Sequence, residues 1–142
     1  MLDLRVGELL AALGARTPAP ASGAAAALAG ALGAALVELA ARYAGDEDAA
    51  GEASALAARL AVLADEDSAA YAAFLAERND ETRRGIIAVP TEVAERSEEV
   101  AALAGRVRAQ LTSAVAADAE AGESLATAAA AVARRLAAVN GA

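Results

Sequence analysis

The sequence predicts an all-α protein: an up-and-down bundle of about five helices in one domain spanning residues 1–142, working as a dimer. Three observations carry this. Alanine, the strongest helix former, dominates the chain. Only three prolines interrupt its 142 residues. Apolar residues recur three and four apart in five separate stretches, and none alternates with the period of two expected of a half-buried strand. Aromatics are 2% of the residues, so the core must be built from Ala, Leu and Val. Such side chains bury little area each, at about 25 cal/mol per Å², so a second copy of the chain would add needed burial.

Leu2, Val6, Leu9 and Leu13 fall at helical spacing and give a first helix up to about Ala15. Two prolines and a glycine make Arg16-Thr17-Pro18-Ala19-Pro20-Ala21-Ser22-Gly23 a loop. A second helix runs from about Gly23 to Tyr43, with Leu28, Leu32, Leu36 and Leu39 on one side. Gly30 and Gly33 leave gaps in it where another backbone can approach. The acidic patch Asp46-Glu47-Asp48 and Gly51 form the next break. Leu56, Leu60, Leu63, Asp67, Tyr71 and Phe74 make a single stripe on a third helix, which ends near Arg78-Asn79-Asp80. Thr82 to Pro90 is ambiguous between a helical turn and an extended link. Val100, Leu103, Val107 and Leu111 mark a fourth helix starting after Pro90. Leu125, Val132, Leu136 and Val139 mark a fifth. No repeat or linker divides the chain.

Composition excludes several kinds of chemistry. With no Cys and no His, thiolate–metal sites, disulfides and imidazole catalysis are absent, and no metal is expected. All 12 basic residues are Arg, which removes lysine Schiff bases. The formal net charge of −8 repels phosphate backbones, so nucleic acid is not an expected partner. The apolar run Gly23 to Val37 is shorter than the ~20 residues needed to span a bilayer and reads as a buried core helix, so no membrane association is expected. Asp3, Arg5 and Glu8 near the start do not suit a signal peptide, and the expected location is cytoplasmic.

Asp67 is the sharpest chemical signal. A carboxylate inside an apolar stripe is costly to bury as a charge. Desolvation raises its pKa and favours proton transfer near neutral pH. The structural alternative is an Asp paired across the subunit interface to an Arg or to a helix N-terminus. Asp65 and Glu66 lie on other faces and read as solvated. Tyr71, one turn after Asp67, could hydrogen-bond it or a ligand, or be a core tyrosine with a wet tip. The loop from Pro18 through Pro20 to Gly23 opens directly into a helix, whose first N–H groups can hold an anion; Ser22 could equally be an N-cap. Arg84, beside Arg83, could hold a ligand carboxylate or be surface charge. Asn140 could be a helix stop.

Pro18-Ala19-Pro20-Ala21-Ser22-Gly23, followed by an Ala/Gly-rich helix through Leu36, resembles a P-T-P-G-G-G-S-V-A-A signature. Asp65-Glu66-Asp67-Ser68-Ala69-Ala70-Tyr71 resembles D-x-D-x-x-A-F/Y. Arg84, Pro90, Asp118 and Asn140 resemble later, weaker positions of the same pattern. The pattern is that of the formiminotetrahydrofolate cyclodeaminase and methenyltetrahydrofolate cyclohydrolase family. The resemblance implies a homodimeric helical bundle with a folate-type small molecule bound near the subunit interface. It implies no tightly bound cofactor, a tetrahydrofolate derivative being the substrate. Family members close formimino-tetrahydrofolate to methenyl-tetrahydrofolate with release of ammonia, or hydrolyse the methenyl form. Carried over, Asp67 is the acid–base residue, Tyr71 orients, and Pro18, Pro20, Ser22, Gly23, Arg84 and Asn140 contact substrate. Ala19 stands for the signature's Thr, and Ala21-Ser22-Gly23 for its three glycines. This leaves an alternative: a non-catalytic or altered-substrate homodimeric helical protein that keeps the fold.

Overall fold

The computed structural model describes residues 1–142, which form five α-helices and no strand: α1 (Val6–Gly14), α2 (Ser22–Ala44), α3 (Glu47–Ala76), α4 (Asp80–Arg108) and α5 (Ala116–Gly141). α2 is the central element, packed against α3, α4 and α5.

Helix ends follow local chemistry. α2 stops at Gly45, whose left-handed φ of 73° turns its N–H back onto the carbonyls of Ala41 and Arg42. Asp46 then caps α3, accepting from the Ala49 N–H at 3.0 Å. The acidic patch expected as a break is therefore the cap and first turn of α3, where Glu47 and Asp48 face the positive end of the macrodipole. Gly51 lies inside that helix. α1 begins at Val6, so Leu2 precedes it, and none of its residues is buried.

The fourth helix corrects the sequence reading most. It starts at Asp80, ten residues before Pro90, and so absorbs the ambiguous Thr82–Pro90 segment. Leu111 falls beyond its end. Asn79 accepts from the Thr82 N–H at 2.9 Å, and the Thr82 hydroxyl accepts from the Asn79 N–H at 3.2 Å, a reciprocal cap that nucleates the helix. Pro90 sits fully buried within it. A proline removes the N–H that would bond the carbonyl four residues back, here that of Ile86. That carbonyl is served from α5, where Asn140 Nδ2 donates to it at 2.7 Å.

The buried face of α2 is made of small residues: Gly23, Ala24, Ala27, Gly30, Gly33, Ala34 and Val37 among others. Its leucine side is only partly exposed: Leu32 is 63% and Leu39 41% exposed, whereas Leu28 and Leu36 are half-buried and Leu28 packs against the core. By length and composition α2 could cross a membrane, and half of its most apolar window is buried inside this bundle. The small residues let neighbours come close. A Cβ on Gly33 would lie 2.8 Å from the Gly122 carbonyl oxygen of α5, and one on Gly30 would lie 2.7 Å from Ser97 Oγ of α4. On α3, Leu56, Leu60 and Leu63 are buried in the core, and burial stops at Ala64. The stripe continues past the core as Asp67, Tyr71 and Phe74.

Ser97 is fully buried, and its hydroxyl has no hydrogen-bond partner. A buried unsatisfied polar atom costs about 1–3 kcal/mol, and alanine is also the better helix former. Ser97→Ala is therefore expected to stabilise the protein by about 1 kcal/mol. The urea midpoint should rise with the slope of the transition unchanged; a lower midpoint would mean that the hydroxyl contributes to stability.

Candidate functional site

A cleft of about 220 Å³ opens at the end of the bundle where the α3 stripe leaves the core. One wall is the loop Pro18, Ala19 and Ala21 with the first residues of α2, Ser22 and Gly23. Asp67 and Tyr71 of α3 form the second. Ile86 of α4 with Leu136 and Asn140 of α5 complete the cleft, the two apolar side chains as its floor.

Asp67 is half-buried. Burial pushes its carboxyl above the ordinary carboxylate range; the backbone N–H of Ala24 pulls the other way, less strongly. No charged side chain contributes to the shift. Within the chain no Arg pairs with Asp67, and the helix start it approaches is that of α2 in the same chain. The N-cap of α2 is Ala21, which has no side-chain acceptor, and Ser22 is the first helical residue rather than the cap. Asp67 accordingly faces the otherwise uncapped start of α2 from the neighbouring helix. Gly23 makes this approach possible: a Cβ there would collide with the Asp67 carboxylate.

Six sequence-singled residues meet in the cleft: Pro18, Ser22, Gly23, Asp67, Tyr71 and Asn140. Pro20 and Arg84 do not line it. Pro20 lies in the same loop, half-buried. Arg84 is exposed on α4, its Nε donating to the Asp80 carbonyl at 3.2 Å. Tyr71 adds no shift to Asp67. Glu66 and Asp65 point elsewhere: Glu66 pairs with Arg59 at 2.8 Å, and Asp65 with the N-terminal amine at 2.7 Å. Ile86 and Leu136 also line the cleft. Being apolar, they carry no chemical signal. Leu136 was visible only as part of the fifth helical stripe, and Ile86 only if Thr82–Pro90 is read as helix.

The cleft offers one carboxyl group of raised pKa, two hydroxyls, one amide and an apolar floor, with no cation. It can accept and return a proton at Asp67. Asp67 and Tyr71 are its two titratable side chains. The chain matches the family model described as formiminotransferase-cyclodeaminase over residues 5–141. No curated protein matches it.

Proposed function

The chain belongs to the formiminotransferase-cyclodeaminase family, and from that membership we propose that it is an enzyme acting on a one-carbon unit of tetrahydrofolate. The observation that carries the proposal is Asp67. Its carboxyl group has a raised pKa and lies in the cleft beside the loop that resembles the family signature. Of the signature's three glycine positions, the one kept as glycine is Gly23, which makes room for that carboxylate.

Ring closure of formimino-tetrahydrofolate needs one proton moved twice. The formimino nitrogen enters protonated. As the second folate nitrogen attacks the formimino carbon, Asp67 takes that nitrogen's proton. Asp67 then returns the proton to the amino group, which leaves as ammonia. The methenyl product keeps the positive charge that the substrate brought, so the balance closes with Asp67 restored. Hydrolysis of methenyl-tetrahydrofolate would use the same carboxylate as the base that activates water. Continuous absorbance of methenyl-tetrahydrofolate formed or consumed by the wild-type protein tests the proposal; no conversion in either direction sinks it.

One observation favours a second reading, a family fold turned to another small molecule. No cation lines the cleft of a protein with net charge −8, whereas folates are anionic. Failure to bind any reduced folate in a calorimetric titration would support that reading.

The proposed working form is a homodimer. Leu32, Leu39 and Tyr43 on α2 are exposed in the single chain, as are Val132 and Val139 on α5. Exposed apolar side chains on these two helices support the reading of an interface there. Light scattering at micromolar concentration should give twice the chain mass; a monomer alone would count against it.

A further inference from the structure

The side-chain amide of Asn140 is used at one end only. Nδ2 donates to the Ile86 carbonyl at 2.7 Å, whereas Oδ1 accepts from no group in the protein. Asn140 and Ile86 both line the cleft. The carbonyl is available because Pro90, four residues on, has no N–H to give it. An ordinary residue at position 90 would return that N–H and compete with Asn140 across a separation of 54 residues in sequence. The donation also fixes which way the amide faces. Turning it over would bring Oδ1 against the Ile86 oxygen, two acceptors in apposition, and leave two donors idle.

We propose that Pro90 is a positioning residue for Asn140, and that Asn140 Oδ1 is a fixed hydrogen-bond acceptor that selects a ligand edge carrying N–H. This rests on reading the cleft as the substrate site. Asn140 lines a cleft that also holds Asp67 and Tyr71 and the apolar Ile86 and Leu136, so the ligand edge that its free oxygen would accept from is that of a neutral N–H-bearing heterocycle lying on an apolar surface. A carboxylate or phosphate at this end is disfavoured, because Oδ1 would repel it. Asn140 is partly exposed in the last turn of α5, so its replacement leaves the core in place.

The test compares Asn140→Asp, Asn140→Ala and Pro90→Ala with the wild type, using formimino-tetrahydrofolate and methenyl-tetrahydrofolate as substrates and circular dichroism as the check on fold. Loss of one well-placed hydrogen bond corresponds to about a tenfold weakening of binding. Asn140→Ala should raise KM about tenfold. Asn140→Asp, which keeps an accepting oxygen but loses the Nδ2 donor that orients it, should raise KM by a smaller factor. In both, kcat should change much less, because proton transfer at Asp67 is untouched. Pro90→Ala should raise KM in the same sense by a smaller factor, since the amide is loosened rather than removed. A helix-stapling role alone would lower the melting temperature without this split between KM and kcat. Unchanged KM in folded Asn140 variants overturns the acceptor role, and unchanged KM in Pro90→Ala overturns the positioning role. A wild-type protein that neither binds nor converts either folate overturns the functional reading and this inference together; an active wild type with indifferent variants overturns this inference alone.

Discussion

Asp67→Asn is expected to lower turnover of the folate substrate on the order of a hundredfold or more while making the folded protein more stable at neutral pH. The two effects have one cause. Burial raises the Asp67 pKa, and the opposing pull of the Ala24 N–H does not cancel it. Between the ordinary carboxylate range and the raised value, the folded state therefore holds a proton that the unfolded chain has released. Stability is full below the ordinary carboxylate range and is lost as pH rises through the raised folded pKa. Asn carries no charge at any of these pH values, so that loss is absent from the variant. Asn nearly keeps the shape of the side chain that packs beside Gly23, so the approach to the start of α2 is preserved. Melting curves from pH 4 to 8 should show wild type and variant diverging as pH rises, with the variant higher. A variant less stable at pH 7 would mean that the carboxylate is held chiefly as a cap. Undiminished turnover in a folded variant would remove Asp67 from the mechanism. Gly23→Ala gives a companion measurement. Its Cβ displaces the end of a flexible side chain rather than backbone, so the fold should survive while turnover falls with the carboxylate moved.

What was legible in the sequence follows from how local each signal is. The α3 stripe and its charged interruption at Asp67 are both local, and the structure carries that stripe from the core straight into the cleft. Local signals misled at Pro90. A proline inside a periodic run usually ends a helix, and here the compensating donor, Asn140, lies on another helix. The orientation of α2 was hidden for a different reason. Its Ala/Gly face and its leucine face are both apolar, so periodicity gives a helix without saying which face is the core. Close approach at Gly30 and Gly33 decides in favour of the small face. Ile86 and Leu136 were invisible as site residues because a cleft floor has no chemical signature. Arg84 illustrates the converse: its charge drew attention, yet it lies on the exposed side of α4, away from the cleft.

Gly122→Ala is expected to destabilise the protein by about 1–3 kcal/mol, although alanine is the better helix former by about 1 kcal/mol. The new Cβ would lie 2.7 Å from the Gly33 carbonyl oxygen and 2.8 Å from Val37 Cγ2. A backbone carbonyl cannot rotate out of the way as a side chain can, so α2 and α5 must separate along their crossing. That separation loosens the contacts between the central helix and one of its main neighbours, in a core with few large side chains to fill the gap. The same separation would accommodate a Cβ at Gly33, so Gly33→Ala combined with Gly122→Ala should cost less than the sum of the two alone. Gly51→Ala supplies the control. Gly51 is helical and exposed, with nothing within 4 Å of its added Cβ, so this change should stabilise by about 0.5–1 kcal/mol. Urea unfolding of the variants reads both signs. If Gly122→Ala raised the midpoint as Gly51→Ala does, the close crossing of α2 and α5 would be refuted, and with it the account of why the central helix turns its small face inward.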